Sequence, residues 1–475
     1  MPPVKRERPP LPRRFAPRPK APSRKPIGLG TLAKSVLLFL GFVLVAEWIY
    51  YGHILPDLRS PGGSARPIGE PEATGTPPTA PESSVAPPTE EKNPDLERIR
   101  QLPSLSASTA TPELLERAKE LARRNPDVPW LRAYVANTHL WVASDWIERR
   151  LYAEAERLLD EAEAWGAPPG EVAAHKARIH LYQRSWEAAS RWAREAIRLE
   201  TQTNRGQMHY ILGRAHYFRQ ELARAIEEYE RALSYGDHPD IRAAIEEALR
   251  DQRTSPGYEP RRVAHFVISY EGGTMESMGR MAIDTLERAH ASLVSELGFA
   301  PSDPVAVVLY TRQSYREYDG THYRGGRFDG KIRLPVKDIR WGDEYIAKTL
   351  RHELAHAFFQ SGTRGRHDPR WLNEGLAEYA SGLRARDVQA KLAPHLEGGG
   401  TLEPCLTRTL YNCPVFYPAA TSLVSYLVEV RGMGGIRDIL GSLGAGEDVD
   451  GALRRFAGKD QSSLIRDWEA FVRRR

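Results

Sequence analysis

The chain has 475 residues with 67 Lys and Arg against 62 Asp and Glu, and its mean hydropathy is −0.51. That length exceeds one ordinary domain and predicts two or three. The formal net charge of +5 belongs to the first 35 residues, where ten basic side chains face one acid, so the remainder is slightly acidic and a nucleic-acid-binding body is not indicated.

Residues 1–31 are rich in Pro and Arg and read as a disordered basic tail. Residues 32–52 (LAKSVLLFLGFVLVAEWIYY and the following Gly) approach the length of about 20 apolar residues that a bilayer requires. Lys34 can snorkel at one end, and Trp48, Tyr50 and Tyr51 form an aromatic belt at the other. A cleaved signal peptide is the alternative, but no small-x-small cleavage site follows the core. The expectation is a transmembrane signal-anchor with its N-terminus cytoplasmic, placing the protein in the inner membrane with a periplasmic body. Residues 53–95, rich in Pro, Ser, Thr and Gly, read as a linker.

Residues 96–253 read as all-α and repetitive. Alanines recur at Ala155, Ala189 and Ala225, and again seven positions on at Ala162, Ala196 and Ala232, with offsets of 34 and 36 residues. With Leu212-Gly213, this pattern resembles the tetratricopeptide repeat, which implies a helical solenoid able to dock a peptide or protein partner. A spacer or buttress role is the other reading. Trp130, Trp141, Trp146, Trp186 and Trp192 read as core rather than as cofactor contacts.

Residues 254–262 read as a short linker, and residues 258–475 as a second folded domain. Its predicted order is a strand over 263–270, an amphipathic helix over 275–297, a strand over 304–311, and a turn and strand over 327–336. A helix then runs through residues 344–361, with Ile346, Leu350 and Leu354 on one face and Gly362 as its predicted C-cap. It carries His352 and His356 four residues apart, with Glu353 after the first. At that spacing both imidazoles share a helix face and can reach one ion. A second helix over about 371–383 supplies Asn373, Glu374 and Glu378. A carboxylate from a neighbouring helix is what a His/His/Glu zinc site uses as third ligand.

HELAH followed by WLNEGLAEY resembles the gluzincin, or peptidase MA-like, metallopeptidases, and is nearest in motif to the aminopeptidase N family. Seventeen residues separate His356 from Glu374, one fewer than is usual there. The resemblance covers roughly residues 260–475. It implies an α+β zincin-like domain with one Zn2+ on His352, His356 and Glu374, and Glu353 as general base. It also implies that the strand before the His-bearing helix is a sheet edge lining the cleft. Glu378, one turn after Glu374, is expected to accept the other ring N–H of a ligating histidine, His352 by preference, while Asn373 could orient peptide or zinc ligands. The run beginning at Tyr417 is similar to a stretch whose tyrosine stabilises the oxyanion, although the Lys-Gly pair of that stretch is absent; Tyr411 is its rival. The G-x-M-E-N motif that anchors a substrate N-terminus is also absent, which favours an endopeptidase. Cys405 and Cys413 are expected to form a disulfide if the body lies in an oxidising compartment.

These readings combine into a multi-domain, membrane-anchored, zinc-dependent metallopeptidase acting on a peptide or protein substrate. The alternative is a repeat scaffold whose zinc domain is inactive or is activated by a partner.

Overall fold

Residues 95–199, 204–272, 275–319, 326–336, 342–408 and 413–474 are described by a computed structural model, and all of them fall in one unit of the fold. Helices α1 (Leu96–Arg100), α2 (Pro112–Arg124), α3 (Pro129–Glu148), α4 (Tyr152–Ala164), α5 (Pro169–Tyr182), α6 (Trp186–Arg198), α7 (Arg205–Phe218), α8 (Leu222–Ser234) and α9 (Pro239–Thr254) come first. From α2 onward each packs against the next. Four of them begin on proline, which lacks the N–H that a first turn would leave unpaired.

The repeat is visible in the backbone as well as in the side chains. All six recurring alanines are fully buried, so no larger side chain fits where the helices cross. Arg150, Arg184 and Gln220 adopt left-handed φ of 62°, 57° and 63° in the turns before α4, α6 and α8, at the same offsets as the alanines. In each turn the following N–H reaches back five residues, from Leu151 to Trp146, Ser185 to His180 and Glu221 to His216. A Cβ on Gly213 would lie 2.3 Å from the Tyr229 ring, so this glycine permits α7 to meet α8. The tryptophans divide: Trp186 is buried, whereas Trp130 and Trp141 are 49% and 36% exposed and do not serve as core.

A five-stranded mixed sheet follows, with β1 (Glu259–Val263), β2 (Phe266–Tyr270), β3 (Val305–Tyr310), β4 (Arg327–Phe328) and β5 (Lys331–Pro335). Its order is β1-β2-β3-β5-β4. Pairs β2–β3 and β3–β5 are parallel, and both outer pairs are antiparallel. The remaining helices are α10 (Glu276–Leu297), α11 (Arg312–Asp319), α12 (Gly342–Gly362), α13 (Arg370–Ala380), α14 (Ala385–Leu396), α15 (Glu403–Thr407), α16 (Phe416–Gly444), α17 (Val449–Ala457) and α18 (Gln461–Arg473). One core joins β2, β3 and β5 to α10, α12, α13 and α16.

Strand β5 has two buried faces. Ile332 and Leu334 enter that core, while Lys331 and Arg333, also fully buried, point to the helical stack. There Asp251 of α9 receives Arg333 Nη1 at 3.1 Å, Arg333 Nη2 at 3.0 Å and Lys331 Nζ at 3.0 Å. Tyr217 of α7 donates its hydroxyl to Asp251 at 2.8 Å and accepts Arg333 Nη2 at 2.8 Å. The Lys331 ammonium sits 3.2 Å from the centre of the Tyr217 ring. Burial alone would raise the Asp251 carboxyl, but Arg333 and Lys331 override it and hold the group well below the usual carboxylate range.

Several expectations are corrected. The described chain is mostly helical with one small mixed sheet, rather than an α+β domain behind a membrane helix. The expected span at 32–52 lies outside the described residues, and no helix among those described is long and apolar enough to cross a membrane. The longest, α16, carries Glu429, Arg431, Arg437 and Asp438 and breaks at Gly432, where φ is 68°. The anchored fold class and the single-pass inner-membrane location therefore have no support in this structure. The expected linker at 254–262 contains β1, an exposed and highly charged edge strand. Strand β5 is internal, and on its side of the sheet the edge is the short β4, Arg327–Phe328. Gly362 is not the cap but the last residue of α12, where a Cβ would meet Phe299 at 2.7 Å. The helix closes instead through Gly365, at φ 89°, whose N–H bonds Gln360 O.

Candidate metal centre

The apolar residues of α12 fix which way its polar ones face. Ile346, Leu350, Leu354 and Phe358 are buried in the core, leaving His352 and His356 on a flank turned to α13. On α13, Trp371, Leu372, Leu376 and Ala377 are buried, and the Trp371 indole N–H reaches Gln461 Oε1 at 2.8 Å. A Cβ on Gly375 would lie 2.5 Å from Ala420 O, so this glycine lets α13 rest on the backbone of α16. With that side pinned, Asn373, Glu374 and Glu378 turn to the histidines.

The three expected ligands converge. Among the described residues, His352, His356 and Glu374 form the group that could hold a metal ion, with ligand atoms within 4.8 Å of one another. The two Nε2 atoms are 3.2 Å apart, and each stands 3.7 Å from Glu374 Oε2. A tetrahedral ion with bonds of about 2.0–2.1 Å spaces its ligands by roughly 3.3 Å, so these residues fit one. Asn373 Oδ1 lies 2.8 Å from His356 Nδ1, while its Nδ2 donates to His367 O at 3.3 Å. That second bond sets the amide's orientation, so Nδ1 carries the His356 proton and Nε2 keeps a free lone pair. Burial chiefly, then His356, pushes His352 down to about 3, which keeps this imidazole neutral as a ligand must be.

Glu353 is 5% exposed and points to the same region. Burial first, then the charges of Glu374, Asp329 and Glu378, pushes its carboxyl up to about 8. Four acids thus crowd one small volume, a field that a divalent cation would offset. Glu378 stands 3.9 Å from His352 Nδ1, beyond hydrogen-bond distance. Burial and Glu374 lift its carboxyl to about 6. Tyr417, the second residue of α16, is 47% exposed, with burial and the charge of Glu374 raising its phenol. The Cys405–Cys413 disulfide is formed and ties α15 to the segment leading into Tyr417. Tyr411 lies outside the described residues.

The hydrogen-bonding role of Asn373 is weakly legible in the sequence, because an amide in WLNEG has many possible uses. Nothing in the motif points to Phe328, whose ring faces His356 with centroids 6.4 Å apart, or to Gly326, whose added Cβ would lie 3.0 Å from Glu353 Oε1. Both come from the short edge strand and its approach.

Two neighbouring helices thus bring together His352, His356 and Glu374, a group that could hold a metal ion, with the Glu353 carboxyl beside them. Residues 287–474 match the family model of the Peptidase MA superfamily, which supports a zincin-like peptidase domain in that part of the chain. No curated protein matches the sequence.

Proposed function

We propose that the chain is a zinc-dependent endopeptidase with its site between α12 and α13. The convergence of His352, His356 and Glu374, with Glu353 beside them, carries this reading. His352 and His356 would hold zinc through Nε2, and Glu374 through a carboxylate oxygen. When bound, zinc would supply a Lewis acid for the scissile carbonyl and lower the pKa of a coordinated water. Glu353 takes the proton of the attacking water on its carboxylate and delivers it to the leaving amine. Asn373 holds His356 in its ligating tautomer, and Glu378 places negative charge behind His352. The Tyr417 hydroxyl donates a hydrogen bond to the oxygen that becomes negative.

Strand β4 is an outer strand of the sheet and packs against α12. A peptide adding to its outer side would pass across the three ligands. A cleft of about 360 Å³ is lined by Phe328 of β4 and Gln360 of α12, and another of about 400 Å³ by Arg370 of α13 and Phe416 of α16; the three ligands line neither. The helical stack would present the docking surface for a protein substrate or partner.

The test is cleavage of an extended peptide set, each member made with a free and with an acetylated N-terminus. Internal cuts in both forms are the expected result. Cuts confined to the first bond of free peptides would make it an aminopeptidase. A folded, zinc-loaded chain that cuts neither would favour the scaffold reading.

A further inference from the structure

We propose that Asp251, on the last helix of the stack, is a positioning residue for the metal centre, acting through Arg333, Asp329 and the β4–β5 turn. The inference rests on the proposed peptidase function for the identity of the residues positioned. It begins from the geometry of one guanidinium. Arg333 gives both Nη groups to Asp251, and its Nε donates to Asp329 Oδ2 at 2.9 Å. The fork is planar and rigid, so it cannot swing toward one acid without leaving the other.

Asp329 in turn shapes the bend. Its Oδ1 accepts the Lys331 N–H at 3.3 Å, its own N–H donates to Lys331 O at 3.2 Å, and Gly330 between them takes φ 101°. Lys331 returns to Asp251 through its ammonium. Both ends of the bend are therefore referred to one carboxylate on another part of the fold, 80 residues upstream.

The near side of the bend touches the chemistry. Phe328 faces His356, and Gly326 approaches so closely that an added Cβ would sit 2.7 Å from Thr349 Cγ2 and 3.0 Å from Glu353. A shift of the bend by a fraction of an ångström would press on Glu353 or release it. The helical stack is in this sense part of the active centre rather than a detachable module. If its only duty were adhesion, an apolar contact of equal volume would serve as well as buried charges.

The experiment uses the full chain with Asp251→Asn and Tyr217→Phe. The second variant keeps every charge and removes only the hydroxyl that bridges Asp251 and Arg333. Hydrogen exchange of the metal-free proteins is followed at residues 326–335 and elsewhere, under conditions where circular dichroism shows each to be folded. Cobalt is then titrated in, and its visible absorption gives affinity and ligand geometry. Expected are faster exchange in the bend than in the rest of the chain, a cobalt dissociation constant raised about 10-fold or more by Asp251→Asn, and a changed band shape. Tyr217→Phe should shift the same quantities less, and it alone decides the matter if Asp251→Asn does not fold. Folded variants with wild-type exchange in the bend, or with acceleration spread evenly over the chain, would overturn the proposal. Wild-type protein that takes up no cobalt would instead refute the metal reading, and the exchange data would still decide the positioning role.

Discussion

Glu353→Gln is expected to keep its metal and lose peptide hydrolysis by roughly 10²–10⁴-fold, the usual contribution of a positioned general base. The amide is isosteric with the carboxyl, so the packing around this nearly buried residue is preserved. It cannot accept the water's proton, because an amide oxygen is a far weaker base than a carboxylate. Glu353 is also not among the three converging ligand atoms, so affinity for the ion should change little. Steady-state kinetics with metal analysis on the same sample separates the two effects. Loss of zinc along with activity would make Glu353 a ligand, and retained turnover would remove it from the reaction.

The second large effect concerns stability and pH. Asp251 has a folded pKa below its ordinary value of 3.8 because Arg333 and Lys331 outweigh the burial that would raise it. A depressed carboxyl contributes stability that is present above the unfolded pKa and is lost as pH falls through the folded one. Wild-type protein should therefore weaken below about pH 4, as the stack and sheet come apart at this contact. Asp251→Asn should unfold more easily by about 3–5 kcal/mol near neutrality, since it leaves two buried cations without their principal counter-charge. Its stability should also depend less on pH below about 4. Denaturant unfolding across that range measures both. An unchanged acid limb in the variant would show that other carboxylates govern acid unfolding.

The extent to which these features are legible in the sequence follows from how local they are. The helix over 344–361 and the one after it are written in short-range apolar spacing, and the convergence of His352, His356 and Glu374 needs little more than two such helices in contact. The repeated alanines likewise announce close helix crossings through their spacing alone. What escapes the sequence is long-range. The run Lys331-Ile332-Arg333-Leu334 reads as a strand with one wet face, because alternation cannot tell water from a buried acid supplied by α9. Strand β1 is hidden for a related reason, since an exposed edge rich in Arg looks like a linker until β2 supplies its partner. That Gly362 ends α12 packed against Phe299, with the closing turn made at Gly365, is equally hidden, because Phe299, which makes a glycine necessary there, is distant in the chain.

The central claim is that two helices bring two imidazoles and a carboxylate around one ion, and metal content tests it most directly. The full chain and its Glu374→Ala and His356→Ala variants would be purified without chelator and analysed for zinc, with circular dichroism confirming folding. Near-stoichiometric zinc in the wild type, falling sharply in both variants, is the expected result. A folded wild-type chain that neither carries zinc nor takes it up on titration would contradict the claim and leave the helical stack as the part of the molecule to explain.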